Sequence, residues 1–191
     1  MVVRKERADA VRNREAVLAA AGELFARSAS PRSVSMDDVA AAAGVGKGTL
    51  FRRFGDRTGL VHALVAARME PLRRAVLEGP PPLGPTGEPR ERAVALLVAV
   101  VEGKLEHRHL MLALEEPGST SPYQVEHYAW WHTTLRDILR AIPDLPEPDY
   151  TAHALLAAVR ADLVEHLVAA EGLTPDQLKT RLTAFVRRVL G

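Results

Sequence analysis

The chain has 191 residues, of which 47% are hydrophobic and 26% charged, with a formal net charge of +1. That composition supplies a packed core and excludes an intrinsically disordered chain. There is no cysteine, which excludes disulfide and thiolate chemistry. No apolar run approaches the ~20 residues that span a bilayer, so the expected location is cytoplasmic. Charge is unevenly spread. Residues 1–60 hold 11 Lys and Arg against 7 Asp and Glu, a net +4, whereas residues 61–191 hold 14 against 17, a net −3. A basic head on a slightly acidic body suits a nucleic-acid contact confined to the head.

Ala and Leu dominate the long segments, and Gly and Pro, 13 each, cluster between them. The expected class is all-α, with about nine helices. Residues 1–8 carry Arg4, Lys5 and Arg7 without an apolar pattern. They read either as an arm reaching for phosphates or as a frayed charged terminus. The first helix is predicted over 9–27, with Val17, Leu18, Ala21, Leu24 and Phe25 in one stripe.

A second helix starts at Ser35, a good N-cap, with Asp38 completing a capping box and Val34 placed to staple onto Val39. It ends at Gly44, which suits the left-handed position after a helix. A third helix is predicted from Lys47 to Phe54. Helix, glycine turn and helix within twenty residues have the size and punctuation of a helix-turn-helix. The third helix reads as the recognition helix. Leu50 and Phe54, four apart, face inward, while cations and small polar groups face out.

Such a helix needs cations for phosphates and short tips for base edges. Ser35, Lys47, Thr49, Phe51, Arg52, Arg53 and Arg57 are the candidate DNA-contacting residues. Arg52 and Arg53 point about 100° apart, so one faces phosphate and the other the groove, and sequence leaves open which. Lys47 lies in the first turn, where backbone N–H groups also favour phosphate. Any one of these cations, taken alone, reads equally as a solvated surface charge.

These residues carry a specific resemblance. Ser35-Met36-Asp37-Asp38-Val39-Ala40, then Ala43 through Phe54, then Asp56-Arg57 and Leu60, resemble the DNA-binding signature of the TetR family of bacterial transcriptional regulators. Val17-Leu18, Ala21 and Leu24-Phe25-Ala26 resemble that family's first helix. The match covers residues 12–64. It departs at Gly46, where Ser or Thr is common, and at Phe51, where Tyr is usual. It departs again at Arg57-Thr58-Gly59, where the cation of a Lys-Glu pair is kept and the acid lost. The resemblance implies a DNA-binding domain over 1–55 and a ligand-binding and dimerisation domain over 56–191. It also implies a homodimer, a double-stranded DNA operator and a small-molecule effector.

A fourth helix is predicted from Asp56, its N-cap, to about Glu78, with Pro71 either kinking or breaking it. Residues 79–90, with five prolines and three glycines, read as a loop. A helix over Glu91–Leu105 is apolar almost all round and should be central in the body. A short helix follows near His109–Glu115. Ser121-Pro122-Tyr123-Gln124 starts another, running to about Ala141. One helix is predicted over Asp149–Glu171, closed by Gly172. Thr174-Pro175-Asp176-Gln177 starts the last.

Met111, Tyr123, His127, Tyr128 and Trp131 are the candidate effector contacts, because aromatics and Met suit an apolar ligand carrying one or two polar groups. Leu155, Val159, Leu163, Leu182, Phe185 and Val189 lie on apolar stripes of the last two helices. The resemblance places those helices at the dimer interface, and packing within one subunit explains the stripes equally simply. No metal site, cofactor, catalytic group or membrane partner is expected. The chain lacks HExxH, a nucleophile motif and a phosphate loop. The expected function is a DNA-binding transcriptional repressor released from its operator by a small, largely apolar ligand. A DNA-architectural protein shares the head, and a helical enzyme would need a catalytic group that the sequence does not offer.

Overall fold

The structure, a computed structural model, describes residues 2–28, 30–115 and 126–191. In chain order its helices are α1 (Val2–Arg27), α2 (Met36–Ala42), α3 (Lys47–Phe54), α4 (Arg57–Glu78), α5 (Pro89–Glu106), α6 (Arg108–Leu114), α7 (Glu126–Arg140), α8 (Pro148–Ala157), α9 (Ala161–Glu165) and α10 (Pro175–Leu190). Among the described residues there is no strand, as the all-α expectation requires. The chain forms two compact units. One comprises the residues up to Arg68 with His109–Leu114, and the other Met69–Arg108 with Glu115–Gly191.

The first unit is built on local signals. Helix α1 begins at Val2, several residues before the predicted start. Residues 2–8 contain neither Gly nor Pro, and their Arg, Lys and Glu are good helix formers. Val17, Ala21 and Phe25 of α1 are buried together with Met36, Val39 and Ala40 of α2, Leu50 and Phe54 of α3, and Leu60, Val61, Leu64 and Val65 of α4. The Ser35 hydroxyl accepts from the Asp38 amide at 3.2 Å, and the Ser35 amide donates to Asp38 Oδ2 at 3.1 Å. This is the predicted capping box.

Helix α2 stops as its sequence requires. Gly44 adopts φ +64°, a conformation that costs a residue with a Cβ about 1 kcal/mol or more. The Gly44 amide donates to the Ala41 carbonyl and the Val45 amide to the Ala40 carbonyl, the paired bonds of a Schellman ending. Asp56 caps α4 as predicted, its Oδ1 accepting from the Gly59 amide at 2.8 Å.

The second unit is organised by long-range packing around α5. Ala93, Val94, Leu96, Leu97, Val100 and Val101 are buried, and α5 contacts α7, α9 and α10. Each fully buried aliphatic side chain contributes about 1.5–3 kcal/mol, so this helix is the spine of the unit, as its apolar circumference predicts. Helix α5 starts two residues earlier than expected, at Pro89. The Glu88 carboxylate accepts from the Glu91 amide at 3.0 Å, and Pro89 occupies the first turn.

Helix α4 runs unbroken through Pro71, which settles the kink-or-break alternative against a break. The loop after α4 is tied down by Arg92, whose guanidinium donates to the Leu83 carbonyl at 3.1 Å and the Val76 carbonyl at 3.0 Å. Gly84 is required there, because an added Cβ would sit 1.7 Å from the Gly79 carbonyl oxygen.

The helix predicted over 149–171 is two helices. It breaks at Ala158–Arg160, resumes as α9, and ends in a π-helical turn over His166–Ala170. Arg160 is extended (φ −59°, ψ 145°), and the Ala161 amide donates to Glu115 Oε2 at 2.8 Å. A carboxylate 46 positions away in sequence thus caps α9, where no local residue does. Gly172 closes the segment at φ +73°. The predicted box at the start of α10 is present, with Thr174 and Gln177 each accepting from the other's amide.

Candidate nucleic-acid interface

Helix α3 buries only Leu50 and Phe54, and the outward-facing residues compose the candidate surface. Lys47 and Arg52 are exposed, while Thr49, Arg53 and Arg57 are partly so. Phe51 is 46% exposed, a large apolar ring on the same helix as the cations. An added Cβ at Gly46 or Gly48 meets nothing within 4 Å, so the start of the helix is open on those sides. Lys47 Nζ lies 2.5 Å from Asp37 Oδ2 at the start of α2. Both side chains are well exposed, so the pair is screened and worth little to stability.

Two of the seven predicted DNA residues also build the domain. Ser35 spends its hydroxyl on the α2 cap, donating to Asp38 Oδ2 at 2.6 Å as well as accepting from the Asp38 amide. The Ser35 hydroxyl, and after it the Ser35 amide, hold the Asp38 carboxyl below the usual range. Arg57 Nε donates to the Val34 carbonyl at 3.1 Å, and its guanidinium sits 5.8 Å from the centre of the Phe25 ring. The start of α4 is thereby tied to the segment before α2. Sequence reading placed Arg57 among the phosphate contacts and missed this bond, because Val34 is 23 positions away.

A helix-turn-helix with a cationic, solvent-facing second helix is now in place, and residues 17–64 match the family model of the bacterial regulatory proteins of the tetR family. Over those residues the chain is similar to the N-terminal domain of the TetR family. The match and the shared fold support a DNA-binding transcriptional regulator rather than an enzyme. Solved structures of TetR-family and related regulators share the fold. A transcriptional regulator of Rhodococcus sp. Rha1 is 22% identical with TM-score 0.71, covering 93% of this chain and 95% of its own. A TetR regulator from Rhodococcus sp. RHA1 is 23% identical with TM-score 0.66, covering 94% and 96%. NalD, the secondary repressor of the MexAB-OprM multidrug efflux pump in Pseudomonas aeruginosa, is 20% identical with TM-score 0.64, covering 95% and 96%. No curated protein sequence matches the chain.

The predicted effector residues fall in different places. Tyr123 lies outside the described residues. Met111 is buried in the first unit. His127, Tyr128 and Trp131 share α7 in the second unit. The Trp131 indole N–H donates to His127 Nε2 at 3.1 Å, and the Tyr128 hydroxyl lies 2.5 Å from His153 Nδ1. Trp130 packs edge-on against Trp131 with centroids 4.6 Å apart, and the Arg73 guanidinium covers it at 4.5 Å.

The predicted interface residues divide by burial. Leu155, Val159 and Leu182 are buried within the chain, so they cannot form an outward face. Leu163, Phe185 and Val189 are 38%, 42% and 39% exposed. They remain after the stripe of Leu178, Leu182, Val186 and Leu190 has packed inward. The apolar pattern of α10 is wider than one core-facing stripe, and only burial distinguishes its two parts.

Two further clusters of the second unit had no place in the sequence reading. Lys104 Nζ sits 2.6 Å from Glu115 Oε1, their side chains 15% and 12% exposed, and Arg160 Nη2 lies 3.7 Å from Glu115 Oε2. Burial pushes the Lys104 ammonium's pKa down, and Glu115 opposes that shift. Helices α7 and α8 also bring His132, Asp149 and His153 together. The usable signal was in the sequence: Tyr128 and His132 on α7, and Asp149 and His153 on α8, are two pairs at i, i+4 spacing.

Proposed function

We propose that this regulator is a repressor which binds its operator as a homodimer and is released by a small, largely apolar ligand. The DNA-binding surface is α3 and its flanks, with Lys47, Thr49, Phe51, Arg52 and Arg53 at the DNA and Ser35 and Arg57 beside it. The observation that carries this reading is the exposure of those side chains on a family-matched helix-turn-helix. Arg52 and Arg53 supply charge for phosphate or guanine edges, and Phe51 supplies apolar contact to a thymine methyl. The DNA-binding domain is taken as residues 1–55 and the regulatory domain as 56–191, acting together in the cytoplasm.

Support for the dimer comes from the three apolar side chains that the chain leaves exposed near its C-terminal end, Leu163, Phe185 and Val189. An interface of that kind joins two copies through the same patch. Support for an apolar effector comes from the aromatic character of α7, which carries His127, Tyr128, Trp130 and Trp131 on one helix. NalD, a structural relative, is described as the repressor of a multidrug efflux pump. A similar control of gene expression by an apolar compound is the reading adopted here.

The test is fluorescence anisotropy of the purified chain against labelled DNA from upstream of its own gene, with scrambled DNA as control, at two salt concentrations. Selective binding that a screened apolar compound reverses is the expected result. Equal, salt-dominated binding to both DNAs, with no compound able to reverse it, would overturn the repressor reading in favour of an architectural protein.

A further inference from the structure

We propose that His132, Asp149 and His153 form a binding site for a divalent transition-metal ion of the zinc class, bridging α7 and α8. Each of the three residues offers one donor atom, and the three atoms lie within 4.8 Å of one another. Two imidazoles and one carboxylate are the donor set of Zn²⁺, Co²⁺ and Ni²⁺ sites, whereas Mg²⁺ and Ca²⁺ prefer all-oxygen shells. Around a tetrahedral ion with bonds of about 2.0–2.1 Å, donors sit roughly 3.4 Å apart. The three donors therefore start no more than about 1.4 Å beyond the ligating separation.

The arrangement is held from both sides. Asp149 and His153 are one turn apart on α8, and Tyr128 and His132 are one turn apart on α7, so each pair shares a helix face. Helices α7 and α8 contact each other. The Tyr128 hydroxyl, 2.5 Å from His153 Nδ1, orients that ring, the role a hydrogen-bonding neighbour plays beside a metal-bound histidine. The His132 and His153 rings lie 3.8 Å apart between centroids with 19° between planes, and they rotate out of this stack to turn both in-plane lone pairs to one ion. His132 is largely buried, its Nε2 lying 3.8 Å from Asp149 Oδ1, while Asp149 is more than half exposed. The ion thus has an entry from solvent beside Asp149, and three protein donors leave a fourth position for water or another ligand.

One cation competes. Arg136 Nη1 lies 3.9 Å from Asp149 Oδ1, although its guanidinium also donates to Asp137 at 3.0 and 3.1 Å. An entering dication displaces Arg136 from Asp149 and feels its charge. Removing that charge therefore tightens the site, an effect that stray binding to surface histidines does not produce.

The experiment uses the full chain without an affinity tag, stripped with a chelator, and needs no DNA, so its outcome is independent of the operator reading. Calorimetric titration with Zn²⁺ at pH 7.5 should show one equivalent per chain with micromolar or tighter Kd. Co²⁺ should give the visible bands of a four-coordinate site with nitrogen and oxygen donors. The His132→Gln/His153→Gln double variant, verified as folded by circular dichroism, should lose the site at least 100-fold. Arg136→Gln should tighten it several-fold, and His166→Gln should leave it unchanged. Zn²⁺ should raise the wild-type Tm, and Mg²⁺ should not. Absence of Zn²⁺ binding at 100 μM, or binding that survives the folded double variant, overturns the proposal. If that variant fails to fold, the wild-type Co²⁺ spectrum decides: octahedral aquo-like bands alone overturn the site.

Discussion

The two units of this protein are stabilised by different means. The first is written in short-range signals: the Ser35–Asp38 box, the Gly44 ending and the Asp56 cap each join residues within a few positions. Its working helix, α3, buries two side chains and presents the rest to solvent. The second is held by partners far apart in sequence. Glu115 caps α9 and pairs with Lys104, Arg187 of α10 pairs with Glu91 of α5, and Lys179 of α10 pairs with Glu102 of α5. Arg108 likewise forms a bidentate bond with Glu165. The first unit is thus a locally determined scaffold, and the second a cooperative one.

The sharpest way to break that contrast is at Glu115. Glu115→Gln removes the carboxylate that bonds Lys104, leaving Asp162 as its counter-charge at longer range, and weakens the α9 cap. It should cost about 3 kcal/mol, read as a lower urea midpoint. No single surface cation of the first unit should approach that. A smaller loss would mean that Lys104 relaxes to water and that the body is less cooperative than its contacts imply.

Next come the arginines, where stability and DNA binding should separate. Arg52→Ala and Arg53→Ala should weaken operator binding about tenfold or more, as loss of ~1–3 kcal/mol implies. Both should leave the Tm within about a degree, and the salt slope should fall by about one counterion for whichever contacts phosphate. Arg57→Ala should lower both quantities, because removing its bond to the Val34 carbonyl costs about 1 kcal/mol of folding. An unchanged Tm for Arg57→Ala would return that residue to the purely DNA-facing set.

For the dimer, Phe185→Asp should produce a monomer by sedimentation at micromolar concentration without loss of helicity, since the side chain is exposed in the single chain. A dimer that persists would move the interface elsewhere. Ser35→Ala should cost about 1 kcal/mol through the α2 cap. Its signature is in acid: the folded Asp38 carboxyl titrates below its unfolded value near 3.9. Its contribution is complete above that value and lost as pH falls through the lower folded one. Ser35→Ala should flatten that acid limb in the stability profile, and an unaltered limb would assign it to other carboxylates. Smallest of all, Gly46→Ser should add a few tenths of a kcal/mol at the α3 N-cap. Gly46 has negative φ, no capping side chain and open space around it.

The sequence by itself determined the helices, most of their ends and the place of the helix-turn-helix. Caps and glycine turns act over three to five residues, and a cationic helix with a narrow apolar stripe is legible wherever it lies. Ser35, Gly44, Asp56, Gly172 and Thr174 were all readable for that reason. The early start of α1 was less legible, because a helix end without a strong stop signal extends as far as propensity permits, whereas the start of α5 carried a local signal, the Glu88 cap with Pro89 in the first turn. Only the tertiary structure decided the rest. It broke the predicted 149–171 helix, since the Glu115 carboxylate stabilises an open amide at Ala161 from 46 residues away. It sorted the apolar residues of the last helices into Leu155, Val159 and Leu182 inside and Leu163, Phe185 and Val189 outside. It also drew His132, Asp149 and His153 together from two helices. Periodicity records that a face is apolar, or that two side chains share a turn. Which face meets which is set by packing between helices, and no short stretch of chain contains that information.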